Sequence, residues 1–373
     1  LLILLCAFKN PGVAAAEPRL NQIQVIGSHN SYHIAPAPSV MALIAAASRK
    51  QADALDYTHP PLGDQFGRLG IRQIELDVFA DPKGGLYASP AARGILKAAG
   101  KDPGPDPNVD GRLDKPGFKV LHVADVDYLS TAPTFVNALE QIRDWSRANR
   151  RHVPIFVLVE LKDSGVPTLP TRPVKFDRSL LDQLDAEILS VFQRDQILTP
   201  DRVRGKYATL PEAIKGQGWP PLEEVRGLVM FGMDNEGKLP ALYLEDHPAL
   251  EHRILFTGVD ESSPAAAFFK LNDPIKDFDK IQRLVKAGYL VRTRADADTV
   301  QARRGDTTQR DRALASGAQF VSTDYREADN RLSRYSVHLE SDAVARINPV
   351  SGAGLDRVAD VEKMPASDAR KAR

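Results

Sequence analysis

Eight short β-rich runs alternate with longer helical stretches in this chain, and polar, ligand-capable side chains fall at the same end of one run after another. The pattern predicts strands over Gln22–Ser28, Ile71–Val78, Lys119–His122, Val153–Leu161, Gly227–Asp234, Arg253–Thr257, Tyr289–Thr293 and Phe320–Thr323. Helical segments between most of them favour a parallel, helix-covered sheet, and eight strands close an α/β TIM-type (β/α)8 barrel. Chemistry in that architecture gathers where the strands end. His29 and Asn30, Glu75 and Asp77, His122, Glu160 and Lys162, Arg292 and Arg294, and Asp324 and Tyr325 all fall there. A solvated surface accounts for any one of these groups, but it does not predict their recurrence.

Two runs carry the most information. Val25-Ile26 leads into Gly27-Ser28-His29-Asn30-Ser31-Tyr32-His33, a strand built to present His29 and Asn30 at its tip. In the second run Ile74, Leu76 and Val78 share one face while Gln73, Glu75 and Asp77 share the other. Two carboxylates on one face repel, so they belong either to a solvated edge strand or to a cation site. Together with Glu160 and the amide oxygen of Asn30 they compose a hard, all-oxygen, net negative cage. It suits Ca²⁺ first and Mg²⁺ second, and zinc less. His29 and His122 remain for hydrogen bonding to a phosphate and for proton transfer.

Lys and Arg number 49, as do Asp and Glu, so the net charge of zero argues against a nucleic-acid partner. The opening Leu1–Phe8 run is too short to span a bilayer, and small residues follow at Val13–Ala16. Residues 1–16 are therefore expected to be the tail of a secretory signal, with the true N-terminus upstream and a secreted or periplasmic product. Cys6 is the only cysteine, so the mature chain is expected to lack thiols and disulfides. No later segment approaches 18 apolar residues, and a monomer without a transmembrane segment is expected.

Residues 20–335 form the expected catalytic barrel. Residues 80–118 are a Gly-, Pro- and Asp-rich surface excursion with no sustained period, and 336–373 form a C-terminal extension disordered from Glu362 onward. Val40–Ile44 and Phe268-Phe269 are candidates for an apolar rim touching a bilayer, although helical spacing more often marks core.

Gly27–Tyr32, Ile74-Glu75-Leu76-Asp77, Val120-Leu121-His122-Val123, Val159-Glu160-Leu161-Lys162 and Arg292–Asp296 resemble, in order, the secreted calcium-dependent phosphatidylinositol-specific phospholipases C of bacteria and fungi. The resemblance runs from about Leu20 to Tyr325. It implies a barrel of the PLC-like phosphodiesterase kind, with His29 and His122 as catalytic pair and Asn30, Glu75, Asp77 and Glu160 as calcium ligands. Lys162, Arg294 and Tyr325 are implied to hold phosphate or inositol. It further implies a phospholipid substrate at a membrane surface, cleaved by attack of the inositol 2-hydroxyl to give diacylglycerol and a cyclic inositol phosphate that water can open. His29 would stabilise the phosphorane and His122 would protonate the leaving group, with Glu75 or a neighbouring carboxylate as base.

Two other readings stay open. A glycerophosphodiester phosphodiesterase uses a similar barrel, but its first histidine is normally followed by Arg-Gly rather than by Asn30-Ser31. A non-catalytic barrel that binds a lipid or sugar phosphate would keep the fold without turnover.

Overall fold

Seven of the eight strands expected from the sequence form staves of a closed barrel in the computed structural model, which describes residues 17–365. There are β1 (Ile23–Ser28), β2 (Gln73–Phe79), β3 (Lys119–Val120), β4 (Ile155–Leu161), β5 (Val229–Met233), β6 (Leu255–Thr257), β7 (Phe268–Lys270), β8 (Leu290–Arg294), β9 (Phe320–Thr323) and β10 (Ala345–Ile347). Eight run parallel in the order β6-β5-β4-β2-β1-β9-β8-β7, and a parallel bridge between Gly258 and Phe268 joins the two ends. This is the TIM-type (β/α)8 barrel.

Its membership differs from expectation at one stave. The run at Lys119–His122 contributes only β3, which pairs antiparallel with the end of β2 and lies outside the barrel. The eighth stave is β7, three residues long and too short to show a period. The bilayer-rim reading of Phe268-Phe269 therefore fails. Both rings are buried, Phe268 against Phe156 and Phe269 against Tyr289. The solvated-edge reading of Glu75 and Asp77 also fails, because β2 lies between β1 and β4 and all seven of its residues are buried.

Register sets what fills the interior. Gln73 lies opposite Phe156, Glu75 opposite Leu158 and Asp77 opposite Glu160, so on the shared face β4 turns from apolar to acidic toward its C-terminal end beside the carboxylates of β2. Phe156 meets Phe268 and Phe320 across the barrel, with ring centroids 4.9 and 4.7 Å away. Gly232 makes room for that plug, since a Cβ there would sit 2.6 Å from the Phe156 ring. Water is thereby excluded from the lower barrel, and the polar groups crowd at its mouth.

The helices are α1 (Pro38–Ala47), α2 (Arg49–Ala54), α3 (Leu62–Gly67), α4 (Ala91–Ala98), α5 (Phe135–Ala148), α6 (Arg178–Val191) and shorter segments beyond. The outer ring follows from helical periodicity. Leu180, Leu181, Leu184 and Ile188 of α6 are buried, each contributing about 1.5–3 kcal/mol, and the Asp177 side chain caps its first turn. The excursion at 80–118 is more ordered than its composition suggests. It carries α4, and buried Lys119 donates to the carbonyls of Lys115 and Gly117 and lies 3.3 Å from Asp81.

The C-terminal segment closes the other end of the barrel. β10 pairs antiparallel with β1, and Arg226 donates to the Val361 carbonyl. Disorder from Glu362 is not what the structure has, because the Glu362 carboxylate pairs with Arg72 beneath the barrel. A cavity of about 540 Å³ lined by Arg346, Asn348, Leu355 and Arg357 lies in this segment, far from the acidic mouth. The signal-peptide reading of 1–16, Cys6, and the tail from 366 fall outside the described residues. Among the described residues no helix is long and apolar enough to cross a membrane.

Candidate active site

The first catalytic candidate is delivered by the end of β1. His29 follows Ser28, and Asn30 turns the chain with φ 44°, a left-handed conformation that asparagine tolerates better than most residues. His29 Nδ1 donates to Asp324 Oδ1 at 3.0 Å, while Arg294 donates to His29 Nε2 at 3.3 Å. The ring is neutral in that arrangement. Burial, with Arg294 beside it, pushes its pKa down to about 3 despite Asp324. Burial opposes ionisation of Asp324 too, but His29, His59 and Arg294 hold that carboxyl well below the usual range.

A second histidine–carboxylate pair sits on the β3 side. His122 Nδ1 donates to Asp127 Oδ2 at 2.7 Å, which leaves Nε2 as the free nitrogen of a ring one-quarter exposed. Asp127 is fully buried and also meets His33 Nε2 at 2.9 and 3.0 Å. The other nitrogen of His33 faces the Tyr57 carbonyl at 3.1 Å. Burial works against the Asp127 carboxylate, yet His33 and His122 hold it down to about 2. Tyr57 joins the two halves of the mouth, for its ring stacks on His33 at 4.3 Å and its hydroxyl accepts from Asn30 Nδ2 at 3.2 Å.

Between these pairs lies the acidic cluster. Glu75, Glu160 and Asp234 each bring a carboxylate oxygen within 4.8 Å of the others. Burial raises Glu75 to about 8, its Arg292 partner being outweighed by desolvation and by Asp234, Asp77 and Glu160. Burial likewise raises Asp77 well above its usual value against the pull of Lys162. Among the described residues Asn30 Oδ1 and Asp234 Oδ1 are buried without a hydrogen-bond partner, and the buried Asp77 oxygens have none beside the Lys162 ion pair. Orphaned hard oxygens among acids that resist ionisation fit a divalent cation of the calcium type.

Other expected residues take different positions. Lys162 Nζ lies 3.2 Å from Asp77 and 3.3 Å from Glu160, as counter-ion to the cage. Arg294 bridges His29 and Asp324. Tyr325 is buried with its ring edge-on to Tyr335, and its hydroxyl has no partner among the described residues.

Several participants were not singled out from sequence. Asp234 directly follows β5, and Lys270 ends β7 and holds Asp234 at 2.8 Å. The rule of strand ends covers both. Asp324 and Arg292 were placed at strand ends from sequence without a role; Arg292, on the same face of β8 as Arg294, pairs with Glu75 at 2.5 Å. His33, Tyr57, His59 and Asp127 sit in loops and turns, where no periodicity marks them.

Histidine–carboxylate pairs flanking a cluster of hard oxygens at the mouth of a closed β/α barrel are the parts that a metal-assisted phosphodiesterase needs. The chain belongs to the family described as phosphoinositide phospholipase C, Ca²⁺-dependent, whose family model matches residues 18–349. A search of curated proteins finds no match. Among solved structures, the chain is similar to a calcium-dependent phosphoinositol-specific phospholipase C from Pseudomonas sp., at 14% identity over 87% of this chain and 95% of that one, TM-score 0.49. It is also similar to a Ca²⁺-dependent phosphatidylinositol-specific phospholipase C from Streptomyces antibioticus, at 17% identity over 82% and 94% of the two chains, TM-score 0.49. A glycerophosphoryl diester phosphodiesterase from Parabacteroides distasonis is a further neighbour, at 10% identity over 83% and 90%, TM-score 0.32.

Proposed function

We propose that this enzyme cleaves phosphatidylinositol at its phosphodiester, releasing diacylglycerol and a cyclic inositol phosphate. The observation that carries the reading is the pair of histidine–carboxylate dyads, His29 with Asp324 and His122 with Asp127, set on either side of the acidic cluster. Intramolecular displacement at phosphorus needs one group to take a proton from the attacking hydroxyl and another to give one to the leaving oxygen.

His29 is the acceptor once the substrate phosphate draws Arg294 off its Nε2, which lifts one of the two main causes of its low pKa. Its Nδ1–H is fixed on Asp324, so Nε2 carries the lone pair, and Asp324 stabilises the imidazolium that forms. Glu75 is committed to Arg292 and to the acid cluster, which argues against it as base. Arg294, beside His29 Nε2, stabilises charge on the non-bridging phosphate oxygens. His122 gives its Nε2 proton to the glycerol oxygen, with Asp127 fixing the ring through Nδ1. Asn30, Glu75, Glu160 and Asp234, with Asp77 beside them, would hold calcium. The bound ion supplies positive charge that lowers the pKa of the 2-hydroxyl and offsets charge on the phosphate.

The test is release of water-soluble inositol phosphate from phosphatidylinositol vesicles, with calcium and with excess chelator, for wild type and His29→Ala. Calcium-dependent release that His29→Ala abolishes is expected. Hydrolysis of glycerophosphodiesters with no release from phosphatidylinositol would overturn the reading.

A further inference from the structure

We infer that the cavity at the foot of the barrel, between β10 and the segment that follows it, is a binding site for a small organic carboxylate, an anionic head on an apolar body. The inference stands apart from the proposed function. The cavity lies where β10 pairs with the start of β1, at the opposite end of that strand from His29.

The walls are held by the chain itself. Asn348 is buried, its Nδ2 donates to the Gly317 carbonyl at 2.7 Å, and its Oδ1 accepts from the backbone N–H groups of Val350 and Ser351. That one side chain turns the backbone just after β10. Gly352 then packs so close that a Cβ there would collide with Ile347 and with the Asn348 carbonyl. The returning chain brings Leu355 and Val358 to the same cavity as Ile347. Its volume of about 540 Å³ is that of a small-molecule pocket, and those three side chains give it an apolar lining.

The charged groups select the ligand. Arg346 Nε and Nη2 donate to Gln24 Oε1 at 2.9 and 2.5 Å, and Nη2 also donates to the Leu314 carbonyl at 2.9 Å. Gln24 is buried, and its Nε2 donates to the Ala318 carbonyl at 2.7 Å, which fixes its Oε1 toward the arginine. The guanidinium is thus clamped by neutral acceptors that leave its charge uncompensated, and its Nη1 has no partner among the described residues. Arg357, exposed and without an ion pair among the described residues, lines the same cavity. Burial lowers the Arg346 pKa, Glu340 pulls against that shift and Arg357 adds to it, so the two guanidiniums feel each other. Glu340 is the one carboxylate on the lining, which leaves a single net positive charge there. A carboxylate matches that charge and accepts charge-assisted hydrogen bonds from both arginines, while its body lies on Ile347, Leu355 and Val358. A phosphate monoester would bring about 1.5 to 2 negative charges to a lining that offsets one.

Titration calorimetry of the full chain in excess chelator, with phenylacetate, acetate and benzyl alcohol as probes, tests the site. Phenylacetate is expected to bind once per chain with a Kd on the order of 1 mM or below. Acetate lacks the body and benzyl alcohol lacks the charge, so each is expected to bind about tenfold or more weakly. Arg357→Ala removes an exposed side chain that makes no contact holding the fold, and is expected to weaken phenylacetate by about tenfold. Arg346→Met keeps the apolar stem, gives up the guanidinium and is expected to lose at least as much. His29→Ala should bind phenylacetate as wild type does. No binding of phenylacetate, or affinity unchanged in Arg357→Ala, would overturn the inference. Binding lost in His29→Ala would overturn it too, because the probe would then sit at the mouth. Acetate as tight as phenylacetate would make this a site for any anion, and benzyl alcohol as tight would remove the need for charge; either result overturns the assignment to an organic carboxylate.

Discussion

His122 donates Nδ1–H to Asp127 Oδ2 over 2.7 Å, and the same carboxylate is held by His33 Nε2 at 2.9 and 3.0 Å. One carboxylate thus fixes the tautomer of an exposed ring while its own charge is secured by a buried one. Replacing His122 with alanine should lower kcat by about 10²–10⁴ with little change in KM. A substrate whose leaving group is a phenol of low pKa needs no proton from His122, so it should recover most of that loss. The same substrate should not rescue His29→Ala, since the hydroxyl still has to be deprotonated. Steady-state kinetics on both substrates decides it.

His33→Asn keeps a donor but removes the ring between Tyr57 and Asp127. As a positioning residue it should reduce kcat by less than His122→Ala does. The readout that separates this from general damage is the low-pKa substrate, on which His33→Asn should regain near-wild-type turnover. Equal loss on both substrates would show that His33 does not act through His122.

Asp127 also ties stability to pH. Its carboxyl is held at about 2 against an ordinary 3.8, so the folded state binds this proton less readily than the unfolded chain. Its contribution, about 2 kcal/mol, is fully present above pH 4 and is lost as pH falls from about 4 to 2. Urea unfolding across that range should show the slope in wild type and a flatter dependence in Asp127→Asn.

Glu75 titrates in the opposite sense. With its carboxyl raised to about 8, a proton competes with calcium for the acidic cluster below that pH. Calcium affinity is therefore expected to rise by about tenfold per pH unit up to pH 8 and then level off. Thermal unfolding with and without calcium at pH 6 and pH 8 measures it, and the calcium-induced rise in Tm should be larger at pH 8.

Phe156→Ala empties the plug beneath the mouth, where that ring meets Phe268 and Phe320. A loss of about 3–5 kcal/mol is expected in denaturant unfolding. Phe156→Leu should cost less, because it keeps most of the buried volume.

Much of this was legible before any coordinates. The alternation of Glu75 and Asp77 with Ile74, Leu76 and Val78 holds on any β2, and seven of the eight runs so read are staves of the barrel. What misled was length. β7 is three residues and gave no period, whereas Lys119–His122 looked like a stave because an apolar pair, Val120-Leu121, leads into a histidine, although its partner is the antiparallel end of β2. Asp234 escaped attention although it obeys the strand-end rule that picked out Glu160.

The sequence by itself determined the period of the strands, the residues at their tips and hence the end of the barrel where chemistry collects, because side-chain direction in a strand is fixed by covalent geometry. Only the tertiary structure decided which charges face each other. His29 and Asp324 are 295 positions apart, Glu75 and Arg292 217, and His33 and Asp127 94. Such pairings depend on barrel closure and loop path. Burial at the closed mouth then shifts their protonation, a property of the folded surroundings that no local pattern of residues contains.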